Sequence, residues 1–314
     1  MDFSEMNHQG EIRDSLDRIL VEHCVPENLK NFDAAFKHDA ELLSFLASQG
    51  YLGLGIHEKY GGSGENLYDL GILFEKLGFH AAPLSLIGCL AEVAQTIQKF
   101  SEHESHQALI ASILKGDIHT SAILEPLNQD PENPLTRAEI AGDKLTITGT
   151  KYLSELASIS KSLLVSANSD EGVLLVLVDK EHANVSELTT TANTPAFKVD
   201  FDGVSIDRSA IIHAQGRGLE ALKYLLQTSM VMRSYLALGI TEKMTALIAA
   251  YTSEREQFGR VIGSFQAVSH RAADCFIDLE CLRLVSQQAA INLNTNHDCE
   301  NDALVAKIWA GNAC

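Results

Sequence analysis

The stretch YTSEREQFGRVIGSFQAVSHRAAD, Tyr251 to Asp274, interrupts an otherwise helical run. Arg255, Gln257 and Phe258 are followed by Gly259 and, four residues later, Gly263. Glycine costs about 1 kcal/mol against alanine inside a helix, so this pair marks a break or a close backbone approach. The residues before it offer a guanidinium fork, an amide and an aromatic ring. That set suits a planar or phosphorylated group. It equally suits a core phenylalanine beside a surface ion pair of Arg255 with Glu254 or Glu256.

Outward from this stretch the helical period dominates. Leu219, Leu222, Leu225, Leu226 and Met230 open a long helix that runs through Leu236 to Tyr251. Phe276, Ile277, Leu279, Leu282 and Leu284 mark another. ENDALVAKIWAGNAC is amphipathic and stops without a capping glycine, as if cut mid-helix. From about 120 to 215 the grammar is that of strands. KLTITGTKYL, LLVSAN, GVLLVLVDKE and AFKVDFDGVSI are short, β-rich and bounded by turn residues, which implies a small barrel or sandwich. Gly142-Asp143 and Asp202-Gly203 read as turns. Before residue 120, helical spacing recurs at Ile12–Leu20, Leu42–Leu46 and Leu70–Leu77, broken by GIHEKYGGSGENLYDLG. The expected class is therefore α+β: an N-terminal helical domain (1–119), a middle β-barrel domain (120–215) and an incomplete C-terminal helical domain (216–314).

The totals bound the function. The chain has 314 residues, is 46% hydrophobic and 21% charged, and carries 42 acids against 24 Lys and Arg for a net charge of −18. Nucleic acid is excluded as a partner, because neutralising phosphates needs a basic face. Six cysteines without a CxxC pair read as reduced thiols. The first twenty residues mix acids into the start, unlike a signal peptide, and no apolar run approaches the ~20 residues of a membrane span. A cytoplasmic protein is expected.

Several motifs fail on spacing. His103 and His106 are three apart, where a zinc-binding helix needs four; the segment reads as a solvated surface helix. GGSG lacks the Lys-Ser/Thr ending of a phosphate loop. Ser121 lacks the G-x-S-x-G frame, and GRGLEAL (Gly216–Leu222) follows no βαβ unit.

The order helix–barrel–helix, with the Tyr251 stretch inside it, resembles the acyl-CoA dehydrogenase family over nearly the whole chain. The likeness is carried by GYLGLGIHEKYGGSGENLYDLGILFEKLG, by Leu124-Glu125-Pro126, TGTKYL and VDFDGVSI, and most by Tyr251-x-x-x-Arg255-x-Gln257-Phe258-Gly259, Ile262, Phe265-Gln266 and Ala273-Asp274. The resemblance implies FAD as cofactor, an acyl-CoA substrate, α,β-dehydrogenation, an electron-transfer flavoprotein as acceptor, and a homo- or hetero-oligomer. It implies that Arg255, Gln257, Phe258 and Gln266 contact the adenine and pyrophosphate half of FAD bound mainly to a neighbouring subunit.

The chain departs from the family's pattern where the flavin ring should sit. Leu124 stands in place of a threonine that hydrogen-bonds the ring. LNQDPENP replaces a Gly-Ser-Asp, and Leu153-Ser154 stands where Trp-Ile-Thr is usual. The last helices, with a Gly-Gly and often the catalytic Glu, are absent. This combination resembles the shorter subunits of heteromeric acyl-CoA dehydrogenases; a fragment of a longer enzyme is the other explanation. Rival readings are a non-catalytic partner subunit, a scaffold that binds neither flavin nor CoA, and a flavin oxidase of the same fold. The family's alternative base position, counted ten residues before Gly239, falls at Ser229. No Asp or Glu occurs from Ala221 to Thr241, so no catalytic base is expected in this chain.

Overall fold

The computed structural model describes residues 6–35, 37–295 and 299–314. Helices α1 (Asn7–His23), α2 (Pro26–Ala35), α3 (Ala40–Ser48), α4 (Leu67–Phe79), α5 (Gln95–Phe100) and α6 (Glu104–Ile113) precede the strands. These are β1 (Thr120–Ala122), β2 (Arg137–Ala141), β3 (Lys144–Glu155), β4 (Ser162–Ser169), β5 (Gly172–Asp179), β6 (Asn184–Leu188) and β7 (Ala196–Asp207). Then come α7 (Gly218–Glu254), the two-residue strands β8 (Glu256–Gln257) and β9 (Arg260–Val261), α8 (Gln266–Asn294) and α9 (Glu300–Ala313). The α+β class expected from the sequence is the one observed. The chain divides into two compact units, Met1–Leu29 with Asn66–Ala82 and Met230–Cys314, and Lys30–Glu65 with Pro83–Ser229.

In the first unit α4 is the central element, buried from Leu67 to Gly78. Asn66 caps it, accepting from the Tyr68 amide at 3.0 Å. Small residues on both helices let α7 approach: a Cβ on Gly71 of α4 would meet the Tyr235 ring, and one on Gly239 of α7 would collide with the Glu75 carbonyl. Glu75 is buried and ion-paired, to Arg13 at 2.5 Å and Arg283 at 3.3 Å. Asp17 on α1 holds Lys76 at 2.7 Å and His80 at 2.8 Å, and these bonds keep its carboxyl below the usual range although burial opposes them. Trp309 on α9 donates to the Asp278 carbonyl of α8 at 2.9 Å.

The second unit is built on one seven-stranded sheet in the order β1-β4-β2-β3-β7-β6, with β5 on the other side of β4. The expected barrel is an open one, since among the described residues no ladder joins β5 to β6. Period-two alternation decides the inner face. Leu145 and Ile147 of β3 are buried with Val165, Val176, Val178, Phe197, Val199 and Phe201, each worth about 1.5–3 kcal/mol when fully buried. Gly142-Asp143 is the β2–β3 hairpin turn, as expected. Asp202-Gly203 is not a turn. It lies inside β7, where the register with β3 shifts between Ile147 and Gly149, and the positive φ of Gly203 accommodates the bulge.

Candidate functional site

The opening stretch folds as a hairpin between two helices. α7 ends at Glu254, β8 and β9 pair Glu256 with Val261 and Gln257 with Arg260, and α8 begins at Gln266. Phe258 and Gly259 form the two-residue connection with φ of +54° and +78°, the left-handed pair that a tight hairpin of this length demands. Gly263 marks the close backbone approach. A Cβ there would lie 2.9 Å from the Thr252 carbonyl, so glycine lets the chain return against α7.

The side chains of this hairpin face solvent. Phe258 is 93% exposed, touching the edge of Phe265 at a centroid distance of 6.3 Å. Arg260 lies 4.1 Å over the Phe265 ring. Arg255 has no side-chain hydrogen bond or ion pair among the described residues, and Gln257 donates only to the Glu256 carbonyl at 2.7 Å. Gln266 opens α8 and is exposed. The alternative of a core phenylalanine beside an Arg255 ion pair is therefore not what folds. The four residues Arg255, Gln257, Phe258 and Gln266 stand together on one exposed tip, flanked by apolar residues on α7 (Met244, Leu247, Ile248, Tyr251) and α8 (Phe276, Ile277), each more than 40% exposed.

A second cluster lies in the other unit. Residues 87–94 form a π-helix, Ile87–Ala94, a rare geometry that recurs at functional sites. It presents Glu92, only 6% exposed. Glu92 Oε1 accepts from Ser229 Oγ on α7 at 2.5 Å, and Oε2 accepts from Ser121 Oγ on β1. No acid lies between Ala221 and Thr241 of α7, as the sequence reads, and the carboxylate beside Ser229 comes from the π-helix instead. A side chain 137 residues away in sequence fills the place.

At the mouth of the sheet, Glu125 and Lys151 form a buried pair at 2.8 Å, with side chains 2% and 0% exposed. Glu125 also accepts from the Leu135 and Thr136 amides at 2.6 and 2.7 Å. Burial opposes its charge, but these donors prevail and hold its pKa at about 2. Burial dominates at the other end, drawing Lys151 down to about 8 despite Glu125. Around the pair, Leu124, Leu127, Leu135 and Leu153 are exposed. The loop carrying Asp130 and Glu132 is tied to itself through Asn128 and Asn133.

His106 is buried and bonded to Ser101 at 2.8 Å, while His103, Glu104 and Ser105 are exposed, so the segment is a surface helix whose second histidine turns inward. A polar cavity of about 480 Å³ beside it is lined by His119, Lys144, Lys161 and Asp179 among others. Its lysines are already paired, with Asp207 and Asp117 at 2.7 Å each. His119 bonds Ser162 and Ser112 through its two ring nitrogens, and burial keeps it neutral down to about pH 4. Among the described residues no cluster of three or more His, Cys, Asp or Glu is placed to hold a metal, and no helix is long and apolar enough to cross a membrane.

The family models for the acyl-CoA dehydrogenase N-terminal and C-terminal domains match residues 6–117 and 216–314. The chain belongs to the acyl-CoA dehydrogenase family. It is 28% identical to acyl-CoA dehydrogenase FadE27 of Mycobacterium tuberculosis, across all of this chain and 85% of that one. It is 26% identical to 3-sulfinopropanoyl-CoA desulfinase of Cupriavidus necator, over 84% of this chain and 72% of the other. Among solved structures, the ChsE4–ChsE5 complex from Mycobacterium tuberculosis superposes with a TM-score of 0.93 at 27% identity, covering 100% of this chain and 85% of that one. A variant of the Tcur3481–Tcur3483 steroid acyl-CoA dehydrogenase gives 0.90 at 30% identity, over 98% and 83%.

Within this acyl-CoA dehydrogenase fold the fit to FAD is divided. The hairpin offers an uncommitted guanidinium, an exposed ring and an exposed amide, the donor set for a pyrophosphate and adenine. The sheet mouth offers Leu124, where the resemblance implies a ring-binding hydroxyl, and the loop in place of the expected Gly-Ser-Asp carries Asp130 and Glu132, the latter paired with Lys223 at 3.3 Å. The hairpin's groups have the chemistry of the dinucleotide end of FAD, and Leu124 cannot hydrogen-bond a flavin ring.

Proposed function

We propose that this chain is one subunit of an FAD-dependent acyl-CoA dehydrogenase, acting in α,β-dehydrogenation of an acyl-CoA thioester within a hetero-oligomer. The observation that carries the reading is the solvent-facing hairpin of Arg255, Gln257, Phe258 and Gln266, in which the Arg255 side chain has no hydrogen bond or ion pair among the described residues and Phe258 is 93% exposed. Arg255 would place two parallel N–H donors on a pyrophosphate, Phe258 would cover the adenine, and the Gln257 and Gln266 amides would bond the remaining polar edge. Bound FAD supplies the acceptor for the β-hydrogen and its electron pair.

Assembly follows from the apolar residues beside the hairpin. Met244, Leu247, Ile248 and Tyr251 recur on one face of α7, and exposed patches of this kind seek partners. An unlike subunit is favoured because the sheet mouth lacks ring-binding groups, so the flavin ring would lie on the partner's barrel. The solved complexes named above, each of two components, support this form. We further assign segments 1–119, 120–215 and 216–314 as the domains, an electron-transfer flavoprotein as acceptor, and a cytoplasmic location.

The leucine-lined mouth also favours a second reading, a partner subunit that completes a site without turnover of its own. An artificial-acceptor assay over short, branched and long acyl-CoAs separates the two. Dehydrogenation by the chain with an unlike subunit, lost when the hairpin is altered, supports the first. An oligomer whose turnover ignores this chain's hairpin and interior supports the second.

A further inference from the structure

We propose that Arg260 is a second diphosphate-binding residue on the hairpin, held in place by Phe265, and that it makes the site select a diphosphate over a monophosphate. The proposal rests on the FAD reading above and adds a residue to it.

The register of the hairpin sets the geometry. β8 and β9 pair Gln257 with Arg260 and Glu256 with Val261. The Ile262 amide donates to the Arg255 carbonyl at 2.8 Å, which continues the same register one step further. Side chains alternate along a strand, and residues directly opposite share a face. Arg255, Gln257 and Arg260 therefore lie on one face, and Glu256 on the other. Arg255 and Arg260 are diagonal neighbours, about 7–8 Å apart at the backbone.

Both arginines are exposed, and neither has an ion pair or a side-chain hydrogen bond among the described residues. The chain carries 42 acids against 24 Lys and Arg, yet these two cations share a face without a carboxylate. Like charges so placed repel, and a dianion between them reverses the sign. Arg260 differs from Arg255 in being already positioned. Its guanidinium lies 4.1 Å over the Phe265 ring, and Phe265 meets Phe258 edge to face at 6.3 Å. Stacking occupies the plane of a guanidinium and leaves the N–H donors at its edge free. A side chain held in this way loses less freedom when it binds. A diphosphate offers one phosphoryl group to each fork; a monophosphate satisfies one fork alone.

The test uses the full chain assembled with its unlike subunit and stripped of flavin, and reads ADP and AMP binding by equilibrium dialysis. Wild type is expected to hold ADP more tightly than AMP by ~10-fold or more, the effect of one added hydrogen bond to a charged group. Arg260→Met keeps an apolar chain over Phe265 without donors. It is expected to weaken ADP by ~10- to 100-fold and to leave AMP nearly unchanged. Arg260→Lys keeps the charge without the planar fork and is expected to fall between the two. A wild-type preference for ADP over AMP in Arg260→Met overturns the assignment. So does an equal loss of both nucleotides, which would make Arg260 a support of the hairpin and nothing more. FAD binding weakened by Arg255→Ala but not by Arg260→Met leaves the FAD reading standing and removes this proposal. A wild-type assembly that binds neither FAD nor ADP removes both.

Discussion

Phe258 should cost this chain stability. It is a bulky residue with φ of +54°, a conformation that costs a non-glycine residue about 1–2 kcal/mol. Little offsets that cost inside the chain. With 93% of the residue exposed, burial returns only ~0.2 kcal/mol of the 1.5–3 available to a fully buried side chain. The edge contact with Phe265 at 6.3 Å adds ~0.5 kcal/mol, the low end for aromatic pairs. Phe258→Asn would install Asn-Gly, the pair preferred in this turn. The difference predicts a gain of about 0.5–1 kcal/mol, or a rise in Tm of ~1–3 °C by calorimetry. The same substitution removes the ring offered to adenine, so FAD retention should fall by roughly 2- to 10-fold. A loss of more than ~1 kcal/mol with unchanged flavin retention would refute the reasoning and make Phe258 a structural residue.

Lys151→Met leaves Glu125 buried without its cation and should destabilise the chain by about 3–5 kcal/mol in urea unfolding; a loss below ~1 kcal/mol would contradict the pairing. Glu125 has a folded pKa of about 2 against the usual 4.5, so its contribution is complete above pH 4.5 and lost as pH falls toward 2. Glu125→Gln should flatten the fall in Tm across that window. His119, lowered from 6.5 to about 4, contributes stability that is present above pH 6.5 and lost on descent to pH 4. At ~1.4 kcal/mol per pH unit its share is ~3 kcal/mol, and His119→Gln should remove that part of the pH dependence. Gly239→Ala should cost at least 1–3 kcal/mol by forcing α7 off the Glu75 carbonyl, visible as a lower urea midpoint.

Much of the architecture was legible because it is local. The 3.6-residue period of Leu219 to Tyr251 and the alternation of KLTITGTKYL report on faces of single elements. Gly259 and Gly263 reported correctly on the turn and the close approach, because glycine's signal is a property of the backbone at its own position. Asp202-Gly203 misled because a bulge and a turn use the same residue types; only the partner strand β3 distinguishes them. His106 misled because two histidines three apart do not reveal the Ser101 hydroxyl beneath one of them. Glu92 could not be found from the α7 sequence, since its approach to Ser229 depends on how the π-helix packs. One signal was present: an acid in the apolar run IGCLAEVA, which a buried helix carries only with partners. The exposure of Arg255 and Phe258 was equally out of reach, because residue type alone fitted a core phenylalanine as well as an exposed one.

Flavin retention by the full chain and by Arg255→Ala tests the central claim most directly. Each protein, assembled with the unlike subunit whose barrel would carry the flavin ring, is mixed with FAD and passed through gel filtration, and the flavin absorbance co-eluting with protein is measured. A hydrogen bond to a charged group is worth ~1.5–3 kcal/mol, so the account predicts flavin on wild type and an affinity ~10- to 150-fold weaker in the variant. Equal retention by the two proteins, or no flavin on either, would contradict it.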